Sequence, residues 1–176
     1  MDEKQLFSFG LVSIFVAFLW RKKSGVKSND FEDIKNQVLD KPILKSKYKS
    51  GEYRYYSLIG DWLIEQGWCD AITSSWPENL GGSRHPDIVG VREKDQTIIF
   101  TEVKMKTGKL NETIKQLEQY KEHSNIVFLA LEHKCAWFEQ VFRYCSNNGI
   151  GVIEFKPEGK GVDINLKNVP KISRNS

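Results

Sequence analysis

The sequence predicts an α/β protein in which a mixed central β-sheet is flanked by helices. Short runs rich in β-branched residues, "DIVGV", "TIIFTEV", "NIVFLAL" and "IGVIEF", alternate with stretches whose apolar residues recur at helical spacing. Gly and Asn stand where those helical stretches end. The chain has 176 residues, 40% hydrophobic and 28% charged, which is enough to bury one core and excludes wholesale disorder.

Taken in order, the chain opens on Leu6 to Trp20, fifteen uncharged and mostly apolar residues followed at once by "RKK". As a helix this segment would be about 22 Å long, short of a hydrocarbon core of roughly 30 Å unless Arg21 to Lys23 snorkel. It is a candidate membrane anchor with the bulk of the chain on the cytoplasmic side, or else a buried or partner-binding apolar helix. The basic cluster follows the apolar run, and Asp2 and Glu3 precede it, which argues against a cleaved signal peptide.

Residues 24–51 are polar and broken by Gly25 and Pro42, with one weakly amphipathic stretch around Phe31 to Leu39; they read as a basic tether. Between Arg21 and Gly51 stand nine Lys/Arg against four Asp/Glu, so the rest of the chain sums to minus two of the total +3. Such a basic segment beside a nearly neutral domain suits either a polyanionic neighbour or plain solvation.

The domain proper is expected over 52–156. Tyr55, Leu58, Ile59, Trp62 and Leu63 are spaced for a core-facing helix that Gly67 closes. "CDAITSSW" forms a short strand, and Pro77 to His85 a Gly-rich loop. "DIVGV" and "TIIFTEV", joined by "REKDQ", form a hairpin. Leu110 to His123 carries Ile114, Leu117 and Tyr120 at helical spacing, with Asn111 as its N-cap. "NIVFLAL" is a buried strand, Ala136 to Ser146 a second amphipathic helix stopped by Asn147 to Gly149, and "IGVIEF" a further strand. Residues 157–176 are polar and basic enough to fray as a tail.

Cys69, Cys135 and Cys145 form no CxxC pair and suit a reducing compartment. His133 with Cys135 and Cys145 fits no structural zinc spacing, which favours core or surface roles for them.

The chemistry concentrates around one strand end. Glu102 and Lys104 are two apart, so they share a face, roughly 6 to 7 Å apart along the strand, downstream of Ile98 and Phe100. Asp87 opens the preceding strand of the hairpin, and antiparallel pairing sets a strand's start beside its neighbour's end. Two close carboxylates repel, a hard dication such as Mg²⁺ or Mn²⁺ relieves the repulsion, and a lysine nearby can counter charge on a phosphate. The competing interpretation is a surface Asp beside a cross-strand Glu/Lys pair.

Pro86 and Asp87, followed by Glu102, Val103 and Lys104, resemble the signature of the PD-(D/E)XK nuclease superfamily over about 52–156. The resemblance implies a restriction endonuclease-like αβββαβ core, with the apolar N-terminal helix outside it. It implies Asp87 and Glu102 as metal ligands, the Val103 carbonyl assisting, and Lys104 as the catalytic lysine, hydrolysing DNA with Mg²⁺ or Mn²⁺. Gln116 and Tyr120, in "QLEQY", resemble the QxxxY motif of RecB-type exonucleases, and an i, i+4 pair shares one helix face; core packing is the other reading of Tyr120. "KTGKL" is similar to VRR-NUC domains, and the whole also resembles Mrr-like and Holliday junction resolvase-like members, so the subfamily stays open. Many members add an acidic residue from the first helix, for which Glu52 and Glu65 compete.

Arg84, Lys106 and Lys109 lie near the motif and would meet phosphates. His85 is a candidate base or a loop residue; Trp68 and Trp76 would stack on bases or fill the core. The partners implied are DNA, a membrane surface through residues 6–20 and, for cutting both strands, a second protomer. Two rival functions share these features: a nucleic-acid-binding module that does not cut, and a membrane-tethered interaction protein.

Overall fold

The computed structural model describes residues 28–41, 53–74, 85–105, 109–159 and 161–172. Among them run, in chain order, α1 (Ser28–Asp40), α2 (Tyr53–Glu65), β1 (Ala71–Thr73), β2 (Ile88–Arg92), β3 (Thr97–Lys104), α3 (Leu110–His123), β4 (Ile126–Glu132), α4 (Phe138–Asn148), β5 (Gly151–Glu158) and β6 (Gly161–Asn168). The six strands form one mixed sheet in chain order. Strands β1, β2 and β3 form an antiparallel meander, whereas the helical crossovers α3 and α4 return the chain so that β3, β4 and β5 are parallel; β6 then doubles back on β5.

Each face of the sheet buries its own apolar layer. Phe31, Ile34 and Val38 of α1, Leu117 and Tyr120 of α3, and Val141 and Cys145 of α4 pack on Phe100, Leu129 and Val152. On the other face, Tyr55, Tyr56, Ile59 and Leu63 of α2 pack on Ile99, Val103, Phe128, Ile153 and Phe155. A single helix, α2, touches β1 and β2 at one side of the sheet and β6 at the other. Six strands would span roughly 24 Å if flat and a helix is about 10 Å across, so the sheet must curl around α2.

Strands β2 to β5 fall where the β-branched runs stand, and the "REKDQ" connection is a tight turn, with Glu93–Asp95 in a 3-10 turn and Gln96 left-handed. Arg92 closes that turn with two bonds to Asp95, at 2.9 and 2.8 Å. Gly67 and Gly149 both adopt φ +70 just past their helices, a conformation that penalises any Cβ, so these glycines are stop signals in the structure as in the sequence.

Several expectations are corrected. Within 24–51, expected as a tether, residues 28–40 form α1, and Phe31, Ile34 and Val38 are at most 2% exposed. Their i, i+3, i+7 spacing buries an apolar stripe against the sheet although the helix is otherwise polar. Within 157–176, expected as a fraying tail, Gly161–Asn168 is a full strand that keeps Val162, Ile164 and Leu166 against the α2 side. Its alternation of polar and apolar residues is a strand signal that outweighs the polar composition of the surrounding segment. In α2 the buried stripe is Tyr55, Tyr56, Ile59, Gly60 and Leu63, while Leu58 and Trp62 are only partly covered. The N-cap of α3 is Lys109, not Asn111, because the first helical turn closes there: the Thr113 N–H donates to the Lys109 carbonyl at 3.0 Å, and the Thr113 hydroxyl donates to the same oxygen. The apolar stretch 6–20 lies outside the described residues, and among those described no helix is long and apolar enough to cross a membrane.

Candidate functional site

The hairpin register decides which charges meet. Ile88 faces Thr101, so Asp87, one residue before β2, reaches β3 beside Glu102 and Val103. There the Val103 N–H, left without a β2 partner where the ladder ends, donates to Asp87 Oδ2 at 2.7 Å. The N–H and C=O of a strand residue point to the same side, so the Val103 carbonyl also faces the Asp87 side of β3 and not β4. Tyr56, on the first turn of α2, donates its hydroxyl to Asp87 Oδ1 at 2.5 Å. The Asp87 carboxylate is thus oriented by one strand and one helix.

Glu102 is oriented from the other face. Tyr120, on α3 and 1% exposed, donates to Glu102 Oε2 at 2.8 Å, while its ring stands edge-on to Phe100 with centroids 5.8 Å apart. Lys104, two residues along β3, forms a salt bridge to Glu102 Oε1. Four donors therefore hold four carboxylate oxygens, and each oxygen keeps a second lone pair.

Burial governs the electrostatics. Glu102 is 1% exposed, and burial first, then the charge of Asp87, pushes its pKa up from 4.5 to about 7 against the opposing pull of Lys104 and Tyr120. Burial likewise raises Asp87, opposed by its bonds from Tyr56 and Val103 and by the charge of Lys104. One ammonium does not offset two carboxylates held this close, one of them fully buried. The donor set, two carboxylates and a backbone carbonyl, is hard oxygen and fits Mg²⁺ or Mn²⁺. Among the described residues no third His, Cys, Asp or Glu joins them, so most positions around an ion would fall to water or substrate, as Mg²⁺ prefers.

The remaining predicted residues divide. Gln116 is half-buried on α3, one turn before Tyr120. Lys109 is exposed at the start of α3 and pairs with Glu112 at 3.1 Å. Arg84 and Lys106, expected to flank the site, lie outside the described residues, as do Glu52 and Trp76. Glu65 is exposed at the far end of α2, nine residues and about 13 Å beyond Tyr56, so it does not join the site. His85 is exposed beside the buried Pro86, and Trp68 packs edge-on against Phe128 in the core. His133 binds Glu154 at 3.0 Å, Cys135 is buried, and Cys145 lies in the core on α4.

Tyr56 is the orienting residue that sequence reasoning misses. Its signal is the i, i+3, i+4, i+7 series Tyr56, Ile59, Gly60 and Leu63, which competes with the neighbouring series through Tyr55. No family model, curated protein or solved structure matches the chain.

Proposed function

We propose that this protein is a metal-dependent nuclease of the PD-(D/E)XK type that hydrolyses DNA phosphodiester bonds with Asp87, Glu102 and Lys104. The observation that carries the reading is the meeting of a buried carboxylate, Glu102, a half-buried one, Asp87, and one ammonium at the end of β3, where burial and mutual repulsion lift the Glu102 pKa to about 7. Structural ion pairs seldom set a second acid beside a buried one against a single base, because the unpaired negative charge is expensive to desolvate. A site that takes up a dication gains from the same arrangement.

Asp87 and Glu102, with the Val103 carbonyl, would hold Mg²⁺ or Mn²⁺, which when bound acidifies water and neutralises phosphate charge. Tyr56 and the Val103 N–H fix the Asp87 carboxylate, and Tyr120 fixes that of Glu102, so the ligands are set before binding. Lys104, partly exposed and anchored by Glu102, offers its ammonium to the phosphate oxygens as negative charge builds during in-line attack by water. Lys109, and Arg84 and Lys106 beyond the described residues, would contact flanking phosphates. The apolar stretch 6–20 would hold the domain at the cytoplasmic face of a membrane.

The test is cleavage of single-stranded, duplex and branched DNA by the full chain with Mg²⁺ or Mn²⁺, with Lys104→Ala as the matched control. Cleavage that chelator and Lys104→Ala both abolish is expected; none on any substrate refutes the reading. A second reading, a DNA-binding module that does not cut, draws on the four carboxylate oxygens already having protein donors. It requires DNA binding that is indifferent to chelator and to Asp87→Ala.

A further inference from the structure

We propose that two copies of this chain associate through the outer edges of their β6 strands, in an antiparallel register centred on Asn165. Self-association of this kind does not depend on the nuclease reading. β6 ends the sheet, and among the described residues no strand pairs with its outer side. An eight-residue edge of unpaired N–H and C=O groups is a template for another strand unless something blocks it. Between Gly161 and Asn168 there is no proline, and the pairing with β5 is regular from Gly161 to Leu166; its one irregularity is a bulge at Lys167, between Leu166 opposite Ile153 and Asn168 opposite Val152. No charge points to the α2 side, where Val162, Ile164 and Leu166 sit half-buried; Asp163, Asn165 and Lys167 are exposed on the other face.

Symmetry restricts the registers. A two-fold axis through an antiparallel edge pair stands perpendicular to the sheet and sets one residue opposite its own copy, with both α2 faces on the same side. Centring on Asp163 or Lys167 places like charges face to face, and centring on Ile164 or Leu166 leaves each charge against a neutral residue. Centring on Asn165 places Asp163 opposite Lys167 of the second copy, twice by symmetry, and Ile164 opposite Leu166.

A lysine on an edge strand ordinarily discourages pairing. Here Lys167 selects the register instead, because its ammonium, 3.0 Å from Glu154, keeps two further donors for Asp163 of the second copy. Asp163 is within reach of the Asn165 amide at 3.3 Å and retains lone pairs to accept them.

The experiment uses the full-length chain in non-ionic detergent, which separates β6 pairing from association through the apolar 6–20 stretch. Residues directly opposite in an antiparallel pair have Cα atoms roughly 4.5 to 5.5 Å apart, within disulfide reach. Asn165→Cys should therefore form a covalent dimer under mild oxidation, and an equimolar mixture of Asp163→Cys and Lys167→Cys should cross-link to each other. The native Cys69, Cys135 and Cys145 are buried and do not compete. Lys94→Cys, exposed on the turn between β2 and β3, is the control for random collision. By sedimentation equilibrium, Asp163→Lys should weaken the dimer on the order of tenfold, Lys167→Asp similarly, and the double exchange should restore it. Asn165→Cys that cross-links no faster than Lys94→Cys, or a dimer unmoved by Asp163→Lys, would overturn the proposal.

Discussion

Replacing Glu102 with Gln should change how the stability of the metal-free protein depends on pH, with a sign opposite to that of an ordinary surface carboxylate. Burial, reinforced by the charge of Asp87, raises the Glu102 pKa from 4.5 to about 7. A carboxyl whose folded pKa lies above its unfolded value favours folding while it is protonated. Its contribution is complete below about 4.5 and is lost as pH rises through about 7. The full shift corresponds to about 3 kcal/mol, and since Glu102 is 1% exposed no solvent screening reduces it. Gln keeps an acceptor for the Tyr120 hydroxyl and carries no charge at any pH. Denaturant unfolding of both proteins from acid to mildly alkaline pH should show the stability of Glu102→Gln minus wild type growing by about 3 kcal/mol, most of it between the two pKa values. In thermal melts the same change is roughly 6 to 12 °C. Saturating Mn²⁺ should stabilise wild type more at alkaline pH than at acid pH and leave Glu102→Gln almost unmoved, because the ion binds the ionised pair. A difference that stays flat with pH, or that shrinks as pH rises, would refute the reasoning.

Three further outcomes follow from individual contacts. Tyr120→Phe keeps the edge-on contact with Phe100 but removes the donor to Glu102, and Tyr56→Phe does the same for Asp87; each should weaken Mn²⁺ binding by roughly tenfold or more in calorimetric titration, with about 1 kcal/mol lost from the metal-free fold. Thr101→Val should stabilise the protein by about 1 kcal/mol in denaturant melts and leave Mn²⁺ affinity unchanged, because Thr101 Oγ1 is buried with no hydrogen-bond partner among the described residues. Phe31→Ala should lower stability by about 3 kcal/mol or more, whereas a tether residue would change it by less than about 0.5 kcal/mol.

The parts of the fold legible in the sequence are those set by short-range pattern. "DIVGV" and "TIIFTEV" announce a hairpin, and pairing through a tight turn carries the register with it, so Asp87 lands beside Glu102. Helices α3 and α4 show in their apolar spacing and, for α4, in Gly149. Less legible were α1 and β6, because each buries only a narrow stripe and its composition is dominated by the polar face. Phe31, Ile34 and Val38 identify a core helix only once the sheet they cover is present. Val162, Ile164 and Leu166 identify a strand only once β5 and α2 stand beside them.

By itself, the sequence determined that Glu102 and Lys104 share one face of a strand and that Asp87 begins its neighbour, since side-chain alternation and hairpin pairing are local properties of the backbone. Only the tertiary structure decided how those charges behave. Tyr56 comes from a helix 31 residues before Asp87, and Tyr120 from one 18 residues after Glu102. The depth that lifts the Glu102 pKa to about 7 is a property of two helices and a curled sheet closing around it. Desolvation depends on everything packed about a group, and no neighbouring stretch of chain specifies it.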